Sequence, residues 1–102
     1  VGNDGAWGTE RHEQRRAIGR TINTELGYMA YEKLGEAFGC DGYVCNHTDN
    51  LDKMLDAAFA SPGPAVVNVH LDPNAGAEIK TNPLVKMIMF SDILTGQSAL
   101  EK

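Results

Sequence analysis

Two segments of the chain carry apolar residues at the spacing of an amphipathic helix. In the first, apolar positions recur at i, i+4, i+7 and i+8, and they are Ala30, Leu34, Ala37 and Phe38. In the second, they recur at i, i+3, i+4, i+7 and i+8, and they are Leu51, Met54, Leu55, Ala58 and Phe59. This spacing gathers the side chains on one helical face. We therefore predict two helices, the first ending at Gly39 in a left-handed conformation and the second capped at its N-terminus by Thr48.

The segments around these helices indicate strands and one further helix. Residues 65–71 are rich in valine and predict a strand that is buried on part of both faces, and residues 42–45 predict a shorter strand. Residues 1–5 are typical of a strand end that runs into a glycine turn, and a helix over about residues 9–18 follows. Helix and strand thus alternate with short connections, a pattern that favours an α/β fold with a parallel sheet.

Residues 77–102 differ from the rest of the chain. They contain Pro83, one compact apolar patch over residues 84–90, and a polar end. An exposed patch of this size marks an interface, so we predict a C-terminal tail of one or two short helices that lies over another surface. The alternative is an ordinary terminal helix that covers the strand at residues 65–71.

Composition and charge restrict the class of protein. The chain has 102 residues, enough for one domain at most, and no apolar run approaches the ~20 residues that cross a bilayer. Nine basic and fourteen acidic residues give a net charge of −5, which argues against nucleic acid and membrane as partners. The start of the sequence lacks the basic segment and apolar core of a signal peptide, so we expect a cytoplasmic protein. We expect Cys40 and Cys45 to be reduced, because two cysteines make no disulfide framework.

The segment most informative about function is the loop Gly2-Asn3-Asp4-Gly5-Ala6-Trp7-Gly8. It follows a predicted strand and precedes a predicted helix, which is where open parallel sheets bind ligands. Glycines let backbone amides approach a phosphate, and the start of a helix adds positive dipole. Asn3 and the carbonyls of the turn offer the hard oxygen ligands that Mg²⁺ prefers. The loop lacks the GxGxxG pattern and the lysine of a P-loop, so its chemistry alone is also compatible with a simple glycine turn.

Three segments of the chain resemble one enzyme family in the order in which that family has them. The loop at residues 2–8 resembles the second half of the thiamine diphosphate-binding motif of acetolactate synthase, 2-hydroxyacyl-CoA lyase and related decarboxylases. Residues 31–43 are similar to that family's segment Y-x-x-L-A-E-A-F-G-x-x-G, and residues 57–69 are similar to its last helix and strand. The resemblance implies the C-terminal portion of a parallel-sheet, helix-flanked thiamine diphosphate-binding fold. Residues 1–76 would form the C-terminal half of that domain, and residues 77–102 would pack on the active-site entrance or a neighbouring subunit.

The same resemblance implies a set of site residues. The side chain of Asn3 and the backbone carbonyl of Gly5 would bind Mg²⁺, which holds the diphosphate of the cofactor. Ala6, Trp7 and Gly8 would border the cofactor at the start of the next helix. The family's GDG triplet, which supplies an aspartate to the metal, and its activating glutamate do not occur in this sequence. We therefore expect the aspartate to lie before Val1 and the glutamate to come from another domain, and we assign no catalytic residue within the chain.

The activity implied by the resemblance is the cleavage or formation of carbon–carbon bonds next to a carbonyl. The substrate would be a small 2-keto acid or an acyl-CoA, with thiamine diphosphate and Mg²⁺ as cofactors. The remaining domains of the same enzyme would be partners, in a homo-oligomer of a flavoprotein-like family. On this interpretation the chain by itself is not an active enzyme. The alternative is a small non-enzymatic α/β module that binds a phosphate ligand or mediates oligomerisation.

The predicted first helix carries further residues with two possible roles each. Its arginines could meet a substrate carboxylate or a CoA phosphate, or they could form a solvated helix face; they are Arg11, Arg15, Arg16 and Arg20. We favour the solvated face. His12 could shuttle a proton, although a surface histidine is the simpler interpretation. Trp7 could form a wall of the active site or a core aromatic residue beside the loop.

Overall fold

The computed structural model describes residues 1–78, which fall into two compact units. The first unit comprises Val1–Ala6 and Leu26–Pro73. The second contains Trp7–Glu25 and the described residues that follow Pro73. The long helix of the second unit is α1 (Gly8–Ile18), which agrees with the predicted helix over residues 9–18.

A parallel three-stranded sheet organises the first unit. Its strands are β1 (Gly2–Asn3), β2 (Asp41–Cys45) and β3 (Ala65–His70), in the order β1-β3-β2. In the register of the sheet Asn3 pairs with His70, and Cys45 pairs with Val69. The predicted parallel α/β fold is confirmed. Because all three strands run the same way, their carboxyl ends meet at one edge of the sheet.

Two helices pack on this sheet. They are α2 (Tyr31–Ala37) and α3 (Leu51–Phe59), and each contacts both β2 and β3. Gly39 follows α2 with φ +82°, the left-handed conformation predicted for it. The helix α2 reaches the sheet through Gly35, which is buried and has no side chain: a Cβ there would lie 2.6 Å from Cγ2 of Val66.

The apolar face predicted for α2 is not the face that the first unit buries. Leu34 is exposed, and Phe38, just after the helix, is 80% exposed. Phe59 at the end of α3 is 88% exposed. The periodicity located these helices correctly. However, it did not locate the contact of α2 with the sheet, because that contact uses the glycine beside Leu34 rather than an apolar side chain.

The prediction that Thr48 caps the third helix is wrong. A 3₁₀ turn at Thr48–Asn50 precedes α3, so Thr48 is the first residue of that turn and does not cap α3. The residue before the turn is His47, whose extended backbone lets Nδ1 of its ring accept a hydrogen bond from the amide of Asp49 at 3.4 Å. The imidazole therefore caps the 3₁₀ turn, whereas Asn50 precedes α3 without a side-chain capping hydrogen bond.

In the second unit, Arg11 and Glu25 form a two-pronged ion pair. Nε of Arg11 donates to one carboxylate oxygen at 3.1 Å and Nη2 donates to the other at 2.8 Å. Arg11 is buried, so the prediction of a solvated face is wrong for this residue, whereas Arg15 and Arg16 are exposed as predicted. The guanidinium lowers the pKa of the Glu25 carboxyl from its ordinary value, as expected for a carboxylate beside a fixed positive charge.

The buried positions of the described chain are mostly polar. Cys45 is the one large or medium apolar residue among residues 1–78 that is classed as buried, and both cysteines are free thiols as expected. The fully buried residue at the centre of the first unit is instead Asn68, with 0% exposure. Residues 79–102 lie outside the described part of the chain, and the predicted apolar tail falls almost entirely there.

The contact of α2 with the sheet generates a prediction about Gly35. Replacing Gly35 by alanine would improve helix propensity by about 1 kcal/mol. However, the new methyl group would collide with Val66, and overpacking of this kind costs about 1–3 kcal/mol. We expect a net loss of stability in urea unfolding of the chain, relieved by adding Val66→Ala. Gly63→Ala is the matched control, because a Cβ at Gly63 would meet no atom within 4 Å. A neutral Gly35→Ala variant would contradict this account of the packing.

Candidate functional site

The loop that follows β1 begins at the carboxyl edge of the sheet. Asn3 is the last residue of β1 and lies beside His70, the last residue of β3. The backbone of Gly5 has φ +72°, a left-handed conformation that glycine adopts without steric cost. The predicted position of the loop, just beyond the end of a parallel strand, is therefore the observed one.

Every polar atom of the Asn3 side chain has a partner within this edge. Its Nδ2 donates one hydrogen bond to the carbonyl of Met29 at 3.0 Å and another to Oδ1 of Asn68 at 3.1 Å. Its Oδ1 accepts from the amide of Gly5 at 3.1 Å. Both amide hydrogens are used, whereas the oxygen keeps a second lone pair. The amide of Asn3 is thus held with its oxygen towards the loop.

Asn68 extends this arrangement to helix α2. Its Nδ2 donates to the same carbonyl of Met29 at 3.0 Å and to Oε2 of Glu32 at 2.8 Å. The hydrogen bond from Asn68 is the largest influence that lowers the pKa of the Glu32 carboxyl, followed by the backbone hydrogen bond within Glu32 itself. Three elements of the first unit are joined by two side-chain amides and one carboxylate. We call Asn3, Asn68, Glu32 and the Met29 carbonyl the amide network.

The carbonyl of Gly5 is also engaged. It accepts hydrogen bonds from the amide of Leu26 at 2.9 Å and from the amide of Gly27 at 2.7 Å. A Cβ at Gly5 would lie 3.6 Å from the ring of Tyr28, so the segment at residues 26–28 packs closely on the loop. A carbonyl oxygen has two lone pairs. The Gly5 carbonyl can therefore bind a metal only by giving up one of these two amides.

The loop offers Mg²⁺ two oxygen atoms, one from a side chain and one from the backbone. The Asn3 side chain fits, because it presents a neutral oxygen with one lone pair that accepts no hydrogen bond. Such an oxygen is the type of ligand that Mg²⁺ takes. Among the described residues there is no group of three or more His, Cys, Asp or Glu side chains that could hold a metal ion. The part of the chain that the structure describes thus offers Asn3 directly and the Gly5 carbonyl after an exchange of partners.

The structure brings three of the five predicted site residues together and leaves two in the second unit. Asn3, Gly5 and Ala6 belong to the first unit, and the amide of Ala6 donates to Oδ1 of Asp4 at 3.2 Å. Trp7 and Gly8 belong to the second unit. There, Gly8 begins α1 and Trp7 is 65% exposed, so Trp7 is not a core aromatic residue.

Sequence reasoning missed Asn68 and Glu32. The signal for Asn68 was present, because an asparagine between Val67 and Val69 is a polar residue in a strand that is otherwise apolar. Burying an amide costs free energy unless it is hydrogen-bonded, so such a residue predicts a buried polar network. Glu32 gave no comparable signal, since a glutamate in the first turn of a helix is usual.

A cavity of about 370 Å³ lies at the carboxyl ends of β2 and β3. Its lining includes Cys45, His47, Thr48, His70 and Asp72. His70 also packs against Tyr28, with their ring centres 4.7 Å apart. Several polar and ionisable residues therefore line the carboxyl edge of the sheet, where β1 also ends. No helix within the described residues is both long and apolar enough to cross a bilayer.

Comparison with known proteins gives one family match and several curated relatives. Residues 1–69 match the model of the C-terminal TPP-binding domain of thiamine pyrophosphate enzymes. The acetolactate synthase large subunit of Mycobacterium tuberculosis is 35% identical over 83 residues, which are 80% of this chain and 15% of that protein. The 2-hydroxyacyl-CoA lyase of Arabidopsis thaliana is 54% identical over 48 residues, which are 47% of this chain and 8% of that protein.

A third relative has another activity. The oxalyl-CoA decarboxylase of Escherichia coli is 39% identical over 62 residues, which are 57% of this chain and 11% of that protein. The chain thus matches at most 15% of the length of these relatives. No solved structure matches the chain significantly.

The bond between Asn68 and Glu32 generates a prediction about acid stability. Because the folded protein lowers the pKa of Glu32 below its ordinary value of 4.5, the stabilising effect of the carboxylate is present above that value. It is lost as the pH falls through the lowered pKa. We expect Glu32→Gln to be less stable than the wild type at about pH 6, with a difference that shrinks towards about pH 3. Urea unfolding across this range measures it, and Asp56→Asn on the exposed side of α3 is the control. A difference that stays constant with pH would contradict the assignment.

Proposed function

The chain belongs to the family of C-terminal domains that bind thiamine pyrophosphate in thiamine pyrophosphate enzymes, and we propose that it supplies half of the site that holds this cofactor, thiamine diphosphate, through Mg²⁺. The observation that carries the proposal is the orientation of Asn3. Its amide oxygen faces the loop at the carboxyl end of β1, and both of its amide hydrogens are bonded elsewhere. A side chain held in this way offers a cation an oxygen and no competing N–H group.

In the proposed site, Asn3 is a side-chain ligand of Mg²⁺ and the Gly5 carbonyl is a backbone ligand. Gly5 takes up this role by releasing the amide of Leu26 or Gly27, which both donate to its carbonyl. Its left-handed conformation turns the chain sharply after Asn3, so two oxygens two residues apart can approach the same ion. Ala6, Trp7 and Gly8 stay predictions as cofactor-binding residues.

The chemistry of the proposed enzyme takes place at bonds next to a carbonyl. When bound, thiamine diphosphate supplies an electron sink for the carbanion formed by cleavage of such a bond. The contribution of this chain is to hold the diphosphate end in place, since no residue of the chain is assigned a proton-transfer role. The relatives are named as a synthase, a lyase and a decarboxylase. We therefore propose a 2-keto acid or an acyl-CoA as the substrate class.

We propose further domains of the same enzyme, in a homo-oligomer, as partners of the chain. The support is the exposure of three large apolar side chains of the first unit, Leu34, Phe38 and Phe59. Association with another protein surface would remove such side chains from water, which is favourable. A non-enzymatic phosphate-binding module would also have a glycine loop. However, the relatives of the chain are named as enzymes, which favours the enzymatic role. Neither the comparisons nor the described residues support a flavoprotein.

The proposed metal ligand generates the first functional prediction. In the full-length protein that carries this chain, Asn3→Ala should abolish the Mg²⁺-dependent binding of thiamine diphosphate, because one of few protein oxygens is removed. Asp4→Asn is the matched control in the same loop and should weaken binding less. Calorimetric titration measures both, alongside a thermal unfolding curve that identifies folded protein. Unchanged cofactor affinity in a folded Asn3→Ala variant would overturn the assignment of the ligand.

The second functional prediction concerns the half of the site that this chain does not supply. The 102-residue chain alone should bind thiamine diphosphate weakly or not at all and should show no turnover, because its sequence lacks the GDG aspartate and the activating glutamate. Titration with cofactor and Mg²⁺, followed by an assay with 2-keto acids, tests this. Decarboxylation by the 102-residue chain would refute the proposal that it is half of a site.

A further inference from the structure

We propose that Glu32 and Asn68 are positioning residues that determine which end of the Asn3 amide faces the metal loop, and that they thereby control metal affinity without touching the metal. This inference rests on the proposed function, because it assumes that Asn3 is a metal ligand. It concerns two residues that none of the motifs in the sequence singles out. Their role follows from the direction of the hydrogen bonds in the amide network.

A side-chain amide can present either of two ends that are nearly equal in size and opposite in chemistry. The oxygen accepts hydrogen bonds and binds cations, whereas the NH₂ group only donates. Rotation by half a turn would replace the oxygen of Asn3 at the loop by an N–H group, which repels a cation. A site that relies on asparagine therefore needs neighbours that exclude the rotated form.

The immediate neighbours of Asn3 discriminate between the two ends. In the observed form its Nδ2 meets two acceptors, the Met29 carbonyl and Oδ1 of Asn68, and its Oδ1 meets the Gly5 amide. In the rotated form the oxygen would face both of those acceptors, and the NH₂ group would face the Gly5 amide. Three attractive contacts would become three repulsive ones. However, one of these contacts is made by Asn68, which is itself an amide that could rotate.

The orientation of Asn68 is fixed by groups that cannot reverse. Its Nδ2 donates to the Met29 carbonyl and to the carboxylate of Glu32, and an ionised carboxylate only accepts. A rotated Asn68 would direct its oxygen at both acceptors and its NH₂ group at the NH₂ group of Asn3. Glu32 thus determines the orientation of the Asn68 amide, and Asn68 in turn determines the orientation of the Asn3 amide. Asn68 is completely shielded from water, so water cannot compete for these bonds.

This chain of bonds makes Glu32→Gln the informative substitution. Glutamine is close to glutamate in shape, but its side chain can donate as well as accept, so it no longer enforces the orientation of the Asn68 amide. Only the Met29 carbonyl and the Gly5 amide then oppose the reversed form. Residues that orient a metal ligand through a hydrogen bond typically change metal affinity by about 10–100-fold when they are replaced. We expect Glu32→Gln to weaken metal binding by about 10-fold or more.

The experiment measures binding of Mn²⁺, as a paramagnetic substitute for Mg²⁺, to the full-length protein in the presence of thiamine diphosphate. Electron paramagnetic resonance gives the dissociation constant from the signal of free Mn²⁺. Glu36→Gln is the matched control, because Glu36 lies one turn further along α2 and accepts from Lys33. This control should bind Mn²⁺ as the wild type does.

The variant Glu32→Asp distinguishes the effect of hydrogen-bond direction at residue 32 from the effect of side-chain shape. Aspartate is shorter, yet it only accepts, so the positioning role predicts that Glu32→Asp retains more Mn²⁺ affinity than Glu32→Gln. A purely structural role predicts instead that Glu32→Gln, which preserves the shape of the side chain, is the more stable of the two variants. In addition, a structural role would lower the unfolding temperature of the metal-free protein without changing the Mn²⁺ dissociation constant of the folded protein.

The outcomes also separate this inference from the proposed function. If the wild type binds no Mn²⁺ with thiamine diphosphate, the proposed function fails and the inference fails with it. If the wild type binds and Glu32→Gln equals Glu36→Gln, the metal site stands and the positioning role is overturned. A weakened Glu32→Gln, with Glu32→Asp between it and the wild type, supports the proposal.

Discussion

The hydrogen bond between the side chains of Asn3 and Asn68 is the interaction on which the rest of the first unit depends. It joins β1 to β3 by their side chains, 65 residues apart in sequence, and both amides also donate to the Met29 carbonyl before α2. Buried polar groups of this kind are costly when unpaired and specific when fully paired. In a unit with so few buried apolar side chains, the amide network defines how β1, β3 and α2 fit together.

The same network connects the fold to its proposed function. A two-residue strand such as β1 has little backbone pairing of its own, so the position of its last side chain depends on what that side chain contacts. Asn3 is held at the carboxyl edge by the groups that also orient its oxygen. The same hydrogen bonds therefore pack β1 and orient the proposed metal ligand. A change that loosens β1 also moves that ligand. The phenylalanines Phe38 and Phe59 are exposed in this unit, and the further domains proposed as partners would cover them.

The sequence predicted the elements better than their contacts. Periodicity located α2 and α3, and the alternation of elements predicted the parallel sheet, because both depend on local patterns. The packing of α2 through Gly35 could not be predicted, since it depends on which side of the helix meets Val66. The position of Asn3 followed from the loop motif, whereas its partners Asn68 and Glu32 lie far along the chain and are joined only by folding. The orientation of an amide depends on such distant partners and not on the spacing of residues.

The central claim is that Asn3 is held by Asn68 with its oxygen available to a metal ion. A crystal structure of the full-length protein with Mg²⁺ and thiamine diphosphate tests it most directly. The account predicts Oδ1 of Asn3 at about 2.0–2.1 Å from Mg²⁺, with Nδ2 of the same side chain still donating to Asn68. A Mg²⁺ ion bound without Asn3, or an Asn3 side chain turned away from Asn68 in the loaded site, would contradict it.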